Sequence, residues 1–247
     1  MRIAIISDIH GNNVAFDAVL ADIKRQNIDQ TVCLGDAIQG GSQPAEVVQN
    51  LRALGCPVVM GNADAWLLSG IETGDEGIPS ERLKKMGEIR QWSLAQLTDD
   101  DRAFISNFQP TITILIEESL NLLCFHGSPV SFDDVILPAS PEEDFQKFLG
   151  AYADHLLTGG HTHAQQIRRN GELFFFNPGS VGFAYSHNQP DDQFHADPWA
   201  EYAILNGENR QTGLEFRRVP FDVNELIHVY GESGRPFADE AIAQYQT

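Results

Sequence analysis

Three polar blocks follow the apolar runs of the N-terminal half of the chain. Asp8 and His10 stand two residues apart after the first run, Asp36 follows the second, and Asn62 follows the third. Side chains two apart at a strand end project to the same side, so Asp8 and His10 can bind one ion. Open α/β sheets place their ligands at the carboxyl ends of parallel strands. The recurrence at three strand ends therefore predicts one shared ligand-binding site.

Two histidine blocks in the second half have the same placement. His126 follows the apolar run 122–125, and His161 and His163 stand two apart after the run 156–158. Imidazole together with carboxylate favours Mn²⁺, Fe, Co, Ni or Zn over Ca²⁺. The candidate metal ligands are Asp8, His10, Asp36, Asn62, His126, His161 and His163. The other four histidines lack this placement and are expected to be structural or to lie at the surface.

The elements that must position these blocks alternate between strand and helix in the N-terminal half. The predicted strands cover residues 2–7, 31–34 and 57–60. The first predicted helix begins near Asn13, with Asn12 or Asn13 as its cap. The second covers 44–54 and ends at Gly55. This order argues for parallel strands. Spaced apolar residues predict two more helices between positions 80 and 108.

The second half is predicted to be mostly a meander of strands. A hairpin is expected around Glu117-Glu118-Ser119, a helix start with a capping serine at Ser140, and a hairpin turn at Asn170-Gly171. The predicted strands cover 111–116, 120–125, 155–158, 165–169, 173–177, 201–205 and 213–219. A last helix is expected over 223–230, and residues 186–198 are the candidate long functional loop.

Composition narrows the classes of function. The 247 residues, 42% of them hydrophobic, can bury one core, so a single domain over 1–247 is expected. A formal net charge of -19 excludes nucleic-acid polymers and anionic membranes as expected partners. We find neither a signal peptide nor an apolar run of roughly 20 residues. Three cysteines in apolar runs indicate a reducing cytoplasm.

The polar blocks, taken in order, resemble the five-block signature of calcineurin-like metallophosphoesterases. The resemblance covers residues 1–181 and includes Asn177-Pro178-Gly179-Ser180-Val181, a stretch similar to one in the small bacterial and archaeal phosphodiesterase-like branch, where we expect it to support the site. The resemblance implies an α/β fold, a four-layer αββα sandwich with two mixed β-sheets. The parallel strands expected in the first half agree with this fold.

The resemblance also implies a role for each polar block. Asp8, His10, Asp36 and His163 would hold a first divalent metal ion, and Asn62, His126 and His161 would complete a second, with Asp36 bridging the two. Manganese is the favoured metal, and Fe, Zn, Ni, Co or Mg are alternatives. A metal-bridging hydroxide would attack phosphorus in a small phosphodiester or an activated phosphomonoester. Asp36, Asn62 and His126 are predicted to be catalytic as well as ligands.

One block departs from the family pattern. The family usually has Gly-Asn-His followed by an acid, and its histidine is thought to protonate the leaving oxygen, whereas this chain has Ala63 and then Asp64. Asp64 is expected to be a local capping or loop residue, with a direct catalytic role as the alternative. His187 or His195, from the candidate long loop, would then be able to supply the missing proton.

Two alternative functions are left open by the sequence. Phosphoprotein phosphatases share the metal blocks but have an aromatic-Val-Asp-Arg-Gly run, whereas this chain has Ala37-Ile38-Gln39-Gly40-Gly41. Related folds also serve as non-catalytic metal-binding scaffolds, although all seven ligand positions are intact in this chain. The sequence does not name the oligomeric state.

Overall fold

The computed structural model describes residues 1–71, 79–117, 120–190, 194–208 and 211–246. The strands are β1 (Arg2–Ile6), β2 (Gln30–Cys33), β3 (Ile112–Glu117), β4 (Leu120–Cys124), β5 (Leu156–Thr158), β6 (Gln166–Asn170), β7 (Leu173–Asn177), β8 (Trp199–Glu208) and β9 (Gln211–Pro220). The helices are α1 (Asn13–Ile23), α2 (Pro44–Leu54), α3 (Asn62–Ser69), α4 (Ser80–Gln96), α5 (Asp99–Ser106), α6 (Glu142–Leu149), α7 (Val223–Ser233) and α8 (Ala238–Ala243). None of these described helices has the length and apolarity that crossing a membrane requires.

The strands form two mixed sheets, as predicted. The first sheet has the order β2-β1-β8-β9, with β1 and β2 parallel and the other neighbours antiparallel. The second has the order β3-β4-β5-β7-β6, with β4, β5 and β7 parallel and β3 and β6 antiparallel at the edges. Both predicted hairpins, β3-β4 and β6-β7, are confirmed. Residues 118 and 119 of the first turn lie outside the described residues. Residues 191–193 of the candidate long loop lie outside them as well.

Three apolar cores separate four layers. Alternate side chains of β1 point to opposite faces of the sheet. Ala4 and Ile6 pack against α1 and α2, whereas Ile3 and Ile5 pack in a second core that includes side chains of β3 and β4. A third core joins Phe175 of β7 to α6 on the far side of the second sheet. The predicted αββα sandwich is therefore confirmed.

The meander predicted for the second half is wrong in two respects. The connections between β4, β5 and β7 are parallel crossovers, and β8 returns to pair with β1 of the first sheet. All but three of the ten residues of β8 from 199 to 208 are buried, so this strand needs partners on both edges, and β1 and β9 provide them. The hairpin β8-β9 thereby completes the first sheet, with β9 at its edge.

Predictions of local secondary structure fail where contacts with distant parts of the chain determine the conformation. Residues 57–60 form only isolated bridges, because Val59 N–H bonds the carbonyl of Cys33 while Met60 N–H bonds that of Gln109 on the other side. The hydroxyl of Ser140 accepts from Leu137 N–H, so α6 begins without the predicted serine cap. Helices α3 and α8 were not predicted, since both are short and neither has a side-chain N-cap hydrogen bond.

One buried carboxylate joins the helical layer to the C-terminal hairpin. Asp22 of α1 is 6% exposed, and its Oδ2 accepts from the Tyr202 hydroxyl at 2.6 Å and from Arg217 Nε at 2.8 Å. Burial raises the pKa of Asp22, but these donors, together with Arg25, outweigh burial and lower the pKa to about 2. Asp22 is therefore ionised and holds α1 against β8 and β9.

We expect Asp22→Asn to lower the free energy of unfolding near pH 7 by about 1–3 kcal/mol, because two donors lose a charged acceptor. A carboxyl whose folded pKa is depressed stabilises the fold above its unfolded pKa, and the contribution is lost as the pH falls through the folded value. The difference between parent and variant should therefore shrink from about pH 4 toward about pH 2. Urea titrations measure it, with the exposed Asp154→Asn as control. A difference that does not change with pH would contradict this account.

Candidate metal centre

All seven predicted ligand residues meet at one edge of the two sheets. Each stands where the chain leaves β1, β2, β4 or β5, or, for Asn62, at the start of α3. The structure divides six of them into two groups whose candidate ligand atoms lie within 4.8 Å of one another. The first group is Asp8, His10 and His163, and the second is Asp36, His126 and His161.

The first group is closely packed. Nε2 of His10 lies 3.0 Å from Nε2 of His163, and the two atoms lie 3.8 and 3.3 Å from Oδ1 of Asp8. Oδ1 of Asp8 is buried and accepts no hydrogen bond in the described structure, while Oδ2 accepts from the backbone N–H of His161 at 3.1 Å. One carboxylate oxygen and two imidazole nitrogens thus converge without donors between them.

The second group shares its carboxylate with the first. Oδ2 of Asp36 lies 3.3 Å from Nε2 of His126 and 3.8 Å from Nε2 of His10, so this oxygen faces both groups. The amide Oδ1 of Asn62 lies 3.0 Å from the same nitrogen of His126. Asp36 therefore has the position that a bridging ligand requires, and Asn62 adds an oxygen to the second group.

Backbone carbonyls determine which ring nitrogens face inward. The Nδ1 atoms of His10, His126 and His163 lie 2.9, 2.8 and 2.7 Å from carbonyl oxygens. A ring nitrogen that bonds a carbonyl must carry the proton, so in the neutral imidazole the inward-facing Nε2 has a bare lone pair. Two such lone pairs 3.0 Å apart, beside an unpartnered carboxylate oxygen, repel one another unless a cation lies among them. The residues therefore fit a metal ion.

The charges of the site also favour positive charge among the ligand atoms, which a proton supplies where no metal ion is bound. Burial raises the pKa of Asp36, but the imidazoles of His126 and His10 outweigh burial and hold the pKa below its usual range. Burial lowers the pKa of His126, and the charge and hydrogen bond of Asp36 raise it to about 9. Burial also lowers the pKa of His10. Protons and metal ions compete for such ligands, so metal binding is expected to weaken as the pH falls.

The backbone at the ligands is strained. Non-glycine residues rarely adopt positive φ, and those that do cluster at functional sites. Seven non-glycine residues in the described part of the chain have positive φ, and five of these are predicted ligands. They are Asp8, His10, Asp36, His161 and His163, with φ between 47° and 68°. The strain turns each ligand side chain toward the centre immediately after its strand.

Glycines allow these loops to approach one another. Gly35, with φ of 95°, lies so close to Gly61 that a Cβ on Gly35 would stand 2.5 Å from the backbone nitrogen of Gly61. A Cβ on Gly61 would in turn overlap Oδ1 of Asp36. This oxygen also accepts from the N–H of Ala63 at 2.8 Å. The glycine before each ligand thus sets the distance between the loops of Asp36 and Asn62.

The stretch 177–181 supports the histidine loop, as predicted. Nδ2 of Asn177 donates to the carbonyl of Gly160 at 2.6 Å and to Thr162 Oγ1 at 3.1 Å, and Oδ1 accepts from Gly179 N–H. The hydroxyl of Ser180 donates to the carbonyl of Asp8 at 2.8 Å. Asn177 and Ser180 therefore hold the loops that carry ligands of both groups.

Asp64 is not the local capping or loop residue that the sequence favoured, because it lies inside α3 and bonds a different loop. Its carboxyl oxygens accept from the N–H groups of Ala37 and Ile38, both at 3.0 Å, and it is fully buried. Burial and the charge of Asp36 raise the pKa of Asp64 to about 7, while the two N–H donors oppose this shift. Asp64 thus anchors the loop that follows Asp36, and it does not line the pocket at the site.

A pocket of about 490 Å³ opens on both ligand groups, and its wall contains His10, Asp36, Asn62, His161 and His163. The histidines proposed as substitute proton donors are not part of this wall. His187 Nε2 lies 2.7 Å from the carbonyl of Thr162, and His195 is exposed. The sequence missed a large part of the wall, which comes from α4 and from residues 230–244 and carries no motif. The residues of this part include Arg82, Lys85, Met86, Ile89, Tyr230, Arg235, Phe237 and Glu240.

Comparison with known proteins identifies the family. The model of the calcineurin-like phosphoesterase superfamily domain matches residues 1–197, and the chain belongs to this superfamily. It is 30% identical over 245 residues to uncharacterized protein MJ0912 of Methanocaldococcus jannaschii, and the alignment covers 90% of this chain and 89% of that protein. It is 26% identical over 198 residues to phosphodiesterase YfcE of Escherichia coli K12, covering 76% and 83% of the two chains.

A solved structure is similar over the whole length. The metallophosphoesterase of Sphaerobacter thermophilus has a TM-score of 0.73 and 25% sequence identity to this protein, with 99% of each chain covered. The fold and family predicted from the polar blocks are therefore confirmed.

We expect Asn177→Ala to weaken the binding of divalent ions by about tenfold, because the loop that carries His161 and His163 loses two side-chain hydrogen bonds. Isothermal titration calorimetry of the metal-free protein with Mn²⁺ measures the affinity. Asn50→Ala is the matched control, since Asn50 also makes two side-chain hydrogen bonds but lies on α2. Equal affinities in the two variants would show that Asn177 does not support the centre.

Proposed function

We propose that this protein is a dinuclear metal-dependent hydrolase that cleaves a small phosphodiester or an activated phosphomonoester. The observation that carries the proposal is the pair of ligand groups that share Asp36 and face one pocket. Metallophosphoesterases and a phosphodiesterase among the similar proteins support phosphoester hydrolysis as the reaction.

Two divalent cations, with Mn²⁺ the favoured identity, would supply an ionised water at neutral pH and offset the negative charge that develops on the phosphoryl oxygens. The residues of the chain keep the site in its working geometry. Carbonyl partners fix the rings of His10, His126 and His163, and Ala63 N–H fixes Oδ1 of Asp36 so that Oδ2 faces both groups. Such preorganised polar groups make the largest contribution to the rate enhancement in many enzymes.

The pocket sets the size and kind of substrate. About 490 Å³ holds a small molecule, and apolar side chains such as Met86, Ile89 and Phe183 line part of the wall. The net charge of -19 disfavours nucleic-acid polymers. A small phosphoester is therefore the proposed substrate.

We expect Asp36→Asn to reduce hydrolysis by at least about a hundredfold, because one charged oxygen serves both ligand groups. The rate with bis(p-nitrophenyl) phosphate and Mn²⁺ measures the effect. Glu143→Gln removes the same charge from α6, away from the pocket, and should leave the rate unchanged. Activity of Asp36→Asn within about threefold of the parent would contradict the dinuclear assignment.

Removal of metal provides a second test. The chelated protein should be inactive, and added Mn²⁺ or a similar transition metal should restore hydrolysis, whereas Ca²⁺ should not, because imidazole nitrogens suit transition metals. The measurement is the rate after dialysis against a chelator and after each ion is added back. Full activity of a metal-free sample would refute the mechanism, and metal binding without hydrolysis of any phosphoester would favour a scaffold.

The leaving group should matter strongly. The only imidazoles in the described wall of the pocket belong to His10, His161 and His163, all predicted ligands. A positioned general acid is typically worth about 10²- to 10⁴-fold in rate, so without one the rate should fall steeply as the pKa of the leaving group rises. Ala63→His should make this dependence shallower and add a falling alkaline limb to the pH profile.

The comparison is the slope of log rate against leaving-group pKa for the parent and Ala63→His. Shallow and equal slopes would show that another group already donates the proton.

A further inference from the structure

Three basic side chains line the pocket at the metal centre. Arg82 and Lys85 come from α4, and Arg235 comes from the segment between α7 and α8. The chain has only 16 basic residues against 35 acidic ones, so three cations in one small pocket stand out from the composition. We call Arg82, Lys85 and Arg235 the basic wall.

Arg235 is held firmly by backbone carbonyls. Its Nε donates to the carbonyl of Gly40 at 2.7 Å and its Nη1 to the carbonyl of Pro236 at 2.9 Å, and the guanidinium carbon lies 5.5 Å from the ring centroid of Tyr230. No carboxylate in the described part of the chain forms an ion pair with it. A guanidinium has five N–H donors, so the pair on Nη2 is left for another acceptor.

The hydrogen bond of Arg235 to Gly40 connects the guanidinium to the loop that also contacts the candidate ligand His10. Gly40, its acceptor, follows Gln39, whose carbonyl lies 2.9 Å from Nδ1 of His10. Arg235 and His10 are therefore held by adjacent residues of one loop. A molecule bound at the ligand groups would lie within reach of this guanidinium, since both line the same pocket.

The other two cations are less constrained. Lys85 Nζ pairs with Oε1 of Glu240 at 2.7 Å at the pocket wall, and both side chains are partly exposed. Arg82 is exposed and forms no ion pair with any described residue. Glu240 offsets the charge of Lys85, so Arg82 and Arg235 are the two cations of the wall that have no ion pair among the described residues.

We propose that the basic wall binds a second anionic group of the substrate, a phosphate or a carboxylate, while the phosphoester to be cleaved lies at the metal ligands. The proposal rests on the proposed function of the same site and names its substrate class as small phosphoesters with two separated negative groups. Planar guanidinium groups bind both kinds of oxyanion through paired hydrogen bonds. Met86, Ile89 and Phe237 supply apolar surface for the body of such a molecule.

One residue of the basic wall, Arg235, lies beyond the family match. The superfamily model covers residues 1–197, whereas Arg235 and its neighbours lie in α7, α8 and their connection. Residues 1–197 thus contain all seven candidate metal ligands together with Arg82 and Lys85, and the C-terminal segment adds Arg235.

The test compares two esters that have the same bond to be cleaved and the same leaving group. Thymidine 5′-(p-nitrophenyl phosphate) and its 3′-phosphorylated form differ only in a second phosphate, and a 3′-hemisuccinate provides the carboxylate version. With the Mn²⁺-loaded full chain, kcat/KM should be about ten- to a hundredfold higher for an ester with the second anion. Arg235→Gln and Arg82→Gln should both lower this ratio, mainly through KM.

Arg169→Gln is the control, since Arg169 is an exposed arginine of β6 outside the pocket, and it should keep the parent ratio. If Arg235→Gln loosens the loop and is inactive toward both esters, the exposed Arg82→Gln decides. A parent ratio near one for both anions, or an unchanged ratio in the active wall variants, would overturn the proposal. Failure of the parent to cleave any of the esters would instead count against the proposed function.

Discussion

The convergence of bare nitrogen and oxygen atoms at the centre explains much of the rest of the structure. Carbonyl partners force the Nε2 atoms of His10 and His163 to within 3.0 Å of one another, and Oδ1 of Asp8 beside them is buried without a donor. Such an arrangement is unfavourable without positive charge, and it is rigid because each ring is hydrogen-bonded on its far side. A cation would stabilise the arrangement, and through it the loops that the ligands occupy.

The two sheets make this convergence possible. β1 and β2 of the first sheet, and β4 and β5 of the second, all end at the same edge, so loops far apart in sequence meet there. Positive φ at the ligands turns their side chains inward, and Gly35 and Gly61 let two of the loops touch. The strain is local to the ligands, whereas the three apolar cores that offset it lie within and between the layers.

The sequence indicated the seven candidate ligands, which the structure brings together, because each is a polar residue at the end of an apolar run, often beside a glycine. It also predicted α1, α2 and β7 closely, since Asn12, Gly55 and Asn170-Gly171 are local signals. It could not show that β8 pairs with β1, because pairing between positions about 200 residues apart has no local signal. The basic wall was missed for the same reason, since Arg82 and Arg235, far apart in sequence, line one pocket only in the folded chain.

The measurement that tests the central claim most directly is the anomalous diffraction of crystals of the Mn²⁺-loaded protein at the manganese edge. Two peaks separated by about 3.5–4 Å are predicted, with the carboxylate of Asp36 between them. One should lie among Asp8, His10 and His163, and the other among Asn62, His126 and His161. A single peak at saturating Mn²⁺, or peaks remote from these side chains, would contradict a dinuclear centre.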